Sequence, residues 1–335
     1  MIPRTRRAGE PAPWQQALAG AVRDPAELLA LLRLPRALLP AARTAARRFP
    51  LRVPRGFVAR MRPGDPDDPL LRQVLPLEAE LAPQPPGYGP DPVGDDAASC
   101  TPGLLRKYRD RALLVTTGAC AVHCRYCFRR HYPYAEASAG PSRWRAIVEH
   151  LAGDGGTEEV ILSGGDPLTL PTPRLAALTR TLCGVPGLAR LRIHTRLPVV
   201  LPERVDGELL AWLARLPWQV VVVVHANHAN ELDDDVAAAL AALAGTGAVL
   251  LNQSVLLAGV NDDTDVLAAL SRRLLACGVL PYYLHQLDRV AGAAHFAVDD
   301  ARARDLHARL RERLPGYLVP RLVREVAGAP AKMPL

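Results

Sequence analysis

The chain has 335 residues, 49% apolar and 22% charged, with a formal net charge of +7. This is the balance of an ordinary globular protein, long enough to bury a sizeable core, and predicts one large domain with appended segments. No run reaches the roughly 18 apolar residues of a membrane helix, and the start "MIPRTRRAGEPAPW" leads into prolines rather than an apolar stretch, so neither membrane span nor secretory signal is expected and the cytoplasm is the expected location. The charge invites nucleic acid, but the arginines are read as lying along the whole chain and aromatic residues are 5%, so none is expected.

In chain order, residues 1–103 read as a helical preface and an irregular connection. "RDPAELLALLRL" offers Asp24 as N-cap, Pro25 at the first helical position and Glu27 three residues after the cap. From about 76 to 103 the chain is rich in proline and glycine. From residue 112 apolar, β-branched runs alternate with helical spacing. The runs are "ALLVTT" (112–117), "EVILS" (159–163), "LRIHT" (191–195), "VVVVHA" (221–226), "VLLNQSV" (249–255) and "PYYLHQ" (281–286). Strands buried on both faces and separated by helices predict a parallel sheet of six βα units, a partial (β/α)6 TIM-like barrel with its chemistry at the C-terminal strand ends. The expected division is 1–103, a core at 104–296, and a C-terminal segment at 297–335.

Of six cysteines, three follow the first strand in the order C-x3-C-x2-C: Cys120, Cys124 and Cys127. A structural zinc site would need a fourth ligand, which His123 or His131 could supply. Alternatively, three thiolates hold three irons of a 4Fe–4S cluster and leave the fourth open to an exogenous ligand. Of 41 basic residues only Lys107 and Lys332 are lysine. An arginine cannot form a Schiff base, so either lysine is a candidate nucleophile.

The cysteine spacing, with Tyr126 before the last cysteine, resembles the signature of radical S-adenosylmethionine (SAM) enzymes, in which the open iron is chelated by SAM. "LSGGDPLTL" after the second run matches the family's motif for the methionyl amine through Gly164, Gly165 and Asp166. "KYRDR", "CRYCFRR", "NQSVLLAGVND", "PYYLHQLDRVAGAAHF" and "EVAGAPAKMPL" together resemble the lysine 2,3-aminomutases over roughly residues 104 to 335. The short C-terminus and the preface resemble the branch that makes (R)-β-lysine for elongation factor P and its ligase.

That resemblance implies pyridoxal 5′-phosphate on Lys332, with Lys107, Tyr108 and Arg111 on the phosphate side. Lys107 stands where the family usually has arginine. Arg129 matches the arginine that pairs with the substrate carboxylate. Asp288 and Glu325 match the two acids that receive the ε-ammonium of L-lysine, Glu325 standing where aspartate is usual. Two acids there would repel a glutamate side chain. The implied reaction needs an electron donor such as a flavodoxin or ferredoxin. The cluster splits SAM to a 5′-deoxyadenosyl radical, and the amino group moves from C2 to C3. No rebuilt interface zinc site is expected. A metabolic source of free β-lysine and a non-catalytic zinc or iron–sulfur module are the alternative readings.

Overall fold

The computed structural model describes residues 11–137 and 140–335. Ten strands form one sheet in sequence order: β1 (Ser99–Thr101), β2 (Leu104–Tyr108), β3 (Arg111–Thr117), β4 (Glu159–Gly164), β5 (Arg190–Thr195), β6 (Gln219–Val224), β7 (Val249–Val255), β8 (Leu280–His285), β9 (Arg321–Arg324) and β10 (Met333–Pro334). Strands β3 to β9 are parallel, and β1, β2 and β10 pair antiparallel at the two edges. The six expected strands are β3 to β8, each followed by a helical crossover. Strand β9 adds a seventh parallel strand from the C-terminal segment.

The sheet's hydrogen bonding ends at β1 and β10, yet Tyr108 on β2 donates to Glu325, just past β9, at 2.9 Å. Edges so far apart in strand order meet only if the right-handed twist curls the sheet into a barrel. The barrel is thus closed across its seam by side chains.

The outward residues Leu191, Ile193, Val222 and Leu250 pack under the crossover helices in a cluster that runs from Ala12 to Val279. The N-terminal helices Pro13–Ala19 and Pro25–Leu31 contribute Trp14, Leu28 and Leu29 to it. Asp24 caps the second of these through Ala26 N at 3.0 Å. Glu27 pairs with Arg55 instead of closing a capping box.

One expectation needs correction. The inward faces of β5 and β7 are not packed solid: Arg192, His194, Leu251, Gln253 and Val255 alternate with buried neighbours and stay half-covered. They line an interior space, as a barrel that binds something inside requires. No helix among the described residues is long and apolar enough to cross a membrane.

Candidate active site

The cysteine loop leaves the C-terminal end of β3 and is held from outside. Arg125 is fully buried and donates through Nε to Glu80 at 2.8 Å and through Nη1 to Phe49 O at 2.8 Å. Arg130 donates to the same Glu80 at 2.8 Å. Burial alone would raise Glu80, but the two guanidiniums hold it below the usual carboxylate range. Inside the loop, Arg196 donates to Cys124 Sγ at 2.7 Å, to Gln73 at 2.6 Å and to Glu231 at 2.9 Å.

Burial pushes Cys120 well up and Cys127 to about 11, each raised further by the neighbouring thiols. Iron entering among the thiols would offset the cost of ionising Cys120 and Cys127. Among the described residues no three His, Cys, Asp or Glu side chains close on a single ion. A cubane spreads its cysteines over separate irons and does not ask for that convergence. One ring nitrogen of each candidate fourth ligand is engaged elsewhere, His123 Nδ1 at 2.8 Å from Pro50 O and His131 Nε2 at 3.0 Å from Ala291 O.

The Gly164–Gly165 pair lies directly against this loop. Gly164 has φ 116°, and a Cβ there would stand 2.7 Å from Thr117 O. At Gly165 a Cβ would stand 2.4 Å from Ala119 O, next to Cys120. Only glycine lets the two loops approach this closely. Gly165→Ala is therefore expected to displace the cysteine loop, lowering stability by about 1–3 kcal/mol and reducing retained iron. A denaturation midpoint and iron content equal to wild type would refute that.

Asp166 departs from its expected place at the co-substrate. Its oxygens accept from Leu168 N, Thr195 Oγ1, Arg196 N and Leu197 N at 2.7–3.1 Å. Burial raises it to about 6 against the pull of these donors. The side chain braces the end of β4 to the end of β5.

Arg129, Lys107, Glu325 and Lys332 of the remaining predicted residues join in the barrel, with Asp95, as an alternating chain of charges. Arg129 donates through Nε to Asp95 at 2.6 Å and through Nη1 to Ser163 at 3.1 Å. Asp95, 1% exposed, is 2.7 Å from Lys107 Nζ, which also donates to Val93 O at 2.8 Å. Lys107 lies 4.0 Å from Glu325, and Lys332 donates to Glu325 at 2.5 Å.

The β9–β10 hairpin explains the seven-residue spacing of the last pair: Met333 pairs with Arg324, so Lys332 and Glu325 stand together at its open loop. Burial would raise both Asp95 and Glu325. Arg129 and Lys107 pull the first below the usual range, and Lys332, Tyr108 and Lys107 the second. Arg111 stands apart. It donates to Asp110 at 3.1 Å and lies over the Tyr108 ring, 5.1 Å from its centroid.

Asp288 is different from the other acids. It makes no ion pair among the described residues, and burial pushes it up to about 7, with Lys332 and Lys107 pulling down and Glu325 and Asp95 pushing up. A carboxylate shifted that far toward neutral marks a candidate functional group.

Lys332 Nζ sits 5.8 Å from the Tyr283 ring centroid. His285 is buried and His194 half-covered, both within electrostatic reach of Lys332, and among the described residues their Nε2 atoms have no partner. Burial first, then Lys332 among the neighbouring charges, drives both histidines well below their ordinary value, so they are neutral. Two orphaned imidazole nitrogens beside a cavity lysine fit a polar group bound to that lysine. Asp95, Ser163, Arg196, His194 and His285 escaped the sequence reading. Their sequence signal is slight: Asp95 sits in a Pro/Gly-rich stretch, and the two histidines each end an apolar run.

The radical SAM superfamily model matches residues 114–264. The chain is 49% identical to the L-lysine 2,3-aminomutase of Escherichia coli K12 over 96% of its length and 94% of that protein's. It is 45% identical to the protein of the same name from Haemophilus influenzae, over 95% and 94%. Identity to the Clostridium subterminale L-lysine 2,3-aminomutase is 34%, over 83% of this chain and 67% of the relative. A solved radical SAM methyltransferase from Sphaerobacter thermophilus aligns over 66% of this chain and 68% of its own, with 18% identity and a TM-score of 0.46.

Proposed function

Since the chain belongs to the L-lysine 2,3-aminomutase family of radical SAM isomerases, we propose that it converts L-lysine to β-lysine, as the R enantiomer, to supply the modification of elongation factor P. Family membership implies a 4Fe–4S cluster, SAM and pyridoxal phosphate. The observation that carries the substrate is the charge order in the cavity: a cation at one end in Arg129, and an unpaired acid in Asp288 near Lys332 and Glu325. A diamino acid presents the complementary order, carboxylate at one end and ammonium at the other.

In this reading Cys120, Cys124 and Cys127 hold the cluster, and the backbone at Gly164–Gly165 faces the SAM methionyl group. Pyridoxal phosphate, when bound through Lys332, supplies the π-system that makes the migration accessible. The chain's own residues do the positioning. Asp95 and Ser163 fix Arg129 from its Nε and Nη1 sides, which leaves Nη2 for a substrate carboxylate. Glu325 holds Lys332 and is itself held by Tyr108. Lys107, Tyr108 and Arg111 lie toward the phosphate end. Lys107 and Arg111 are paired with Asp95 and Asp110, so they serve a phosphate only by sharing or exchanging those partners. The encircling barrel excludes water from the radical. The link to elongation factor P rests on the resemblance and on near full-length identity to the short relatives.

The deciding experiment is anaerobic. Iron, sulfide, pyridoxal phosphate, SAM, dithionite and L-lysine are supplied, and β-lysine is resolved by chiral chromatography, then offered with the ligase to elongation factor P. A product other than β-lysine would refute the reaction, and free β-lysine that the ligase rejects would refute the destination.

Asp288 gives a pH prediction. Its ionised form binds an ammonium, and its value in the folded protein is about 7. Lysine affinity should therefore fall as pH drops through 7. Asp288→Asn should flatten that profile and weaken KM by about 100-fold, leaving the pyridoxal chromophore in place. An unchanged profile in the variant would remove Asp288 from the substrate's ammonium end.

A further inference from the structure

The charge of this chain is concentrated in one segment, contrary to the expectation that its arginines are spread throughout. Residues 28–64 contain nine arginines and no acid, while the rest of the chain holds 32 basic and 34 acidic residues. The whole positive excess belongs to this segment.

The fold displays it as a face. Helix Leu39–Arg48 buries Ala42 and Ala45 and leaves Arg43, Arg47 and Arg48 exposed, with Arg33 and Arg36 exposed on the chain leading into it. Among the described residues these five make no ion pair, whereas Arg55, Arg60 and Arg62 are matched by Glu27, Asp233 and Asp65. Unpaired cations held this close repel one another and destabilise the fold unless a partner compensates them.

The same segment forms the outer wall of the cysteine loop. Residues 49–52 follow the helix directly. His123 N donates to Arg52 O at 2.9 Å, and the His123 ring stacks on Phe49 at 5.3 Å. Among the described residues the buried Nε of Arg52 has no partner. From Arg48 to Arg52, whose carbonyl holds His123 of the loop, the path is four residues, at most ~14 Å even if fully extended.

We propose that the face of Arg33, Arg36, Arg43, Arg47 and Arg48 is the docking surface for an acidic one-electron carrier protein that reduces the cluster. The proposal rests on the reading of Cys120, Cys124 and Cys127 as cluster ligands. An electron has to reach that loop from outside. A cationic face on its wall steers an anionic carrier to the right place and raises the encounter rate. Nucleic acid suits the face less well, because no exposed aromatic side chain stands among these arginines to stack on a base.

The test uses the reconstituted holoenzyme and an Arg43→Glu/Arg47→Glu/Arg48→Glu variant, changed only at exposed positions. Cluster reduction is followed by anaerobic stopped-flow absorbance with reduced flavodoxin, and separately with photoreduced deazariboflavin, a small uncharged reductant. Wild-type reduction by flavodoxin should slow as salt rises. The variant should be slower by on the order of tenfold or more at low salt and lose the salt dependence, while deazariboflavin reduces both proteins alike. Equal flavodoxin rates in the two proteins would overturn the proposal. So would a defect confined to binding of elongation factor P or RNA. Protein that takes up no iron in either form would instead overturn the cluster assignment, and the docking proposal with it.

Discussion

Lys332→Arg is expected to yield a folded protein that takes up iron, shows no pyridoxal chromophore and forms no β-lysine. The guanidinium keeps the positive charge that Glu325 accepts, so the hairpin of β9 and β10 retains its ion pair. It stays protonated and cannot bond covalently to an aldehyde. Loss is thereby confined to the cofactor. The alanine variant makes the complementary case, since it removes the charge as well. Glu325 would then keep Tyr108 and Lys107 as partners, so its carboxylate remains compensated. Absorbance after pyridoxal phosphate addition, iron per chain and chiral product analysis separate these effects. Product from the arginine variant would show that another residue carries the cofactor, and Lys107 is the other lysine available.

What the sequence made legible, and what it hid, follows from the physics of each element. Strands β3 to β8 announce themselves because they are long, apolar and separated by helical spacing. Strands β2 ("LLRKY") and β9 ("RLVR") are short, carry charges and lie one strand in from the sheet edges, each flanked by only a very short edge strand. They resemble loops until the curled sheet brings them together at Tyr108 and Glu325. The resemblance pointed to Lys332 and Glu325 separately, one for the cofactor and one for the substrate; the hairpin pairs them with each other.

The buried acids were not legible. Glu80 and Asp95 lie in a stretch that reads as solvated connection, and what buries them are arginines 34 to 50 residues away. A carboxylate signals nothing about burial until its partner is known. His194 and His285 were hidden by a different assumption. If both faces of every strand are packed, a histidine at a strand end is a satisfied core residue. The half-covered inner face of β5 at His194, and the unpartnered Nε2 of His285 among the described residues, show otherwise.

The net charge was misread for a statistical reason. A total of +7 over 335 residues is modest, and arginine is common everywhere in this chain. It is the absence of acids between Glu27 and Asp65 that singles out one segment. A count over the whole chain averages it away.

Alanine at any one of Cys120, Cys124 or Cys127 is expected to abolish stable iron uptake, and with it all turnover, while the fold survives. Two thiolates leave two corners of a cubane without protein ligands, and such a cluster dissociates. Survival of the fold follows from how the loop is held. Arg125 and Arg130 grip Glu80 from outside the thiols, and Arg196, on losing Cys124, still has Gln73 and Glu231. Melting temperatures of the apo proteins should therefore stay near wild type, although reconstituted iron and sulfide fall to background. The wild-type cluster carries the sharper test. With an open corner, its reduced electron paramagnetic resonance signal must change when SAM is added, because the amino and carboxylate groups of the co-substrate become iron ligands. A signal indifferent to SAM would mean a fourth side chain closes the cluster, and the chemistry proposed for this barrel would have no starting point.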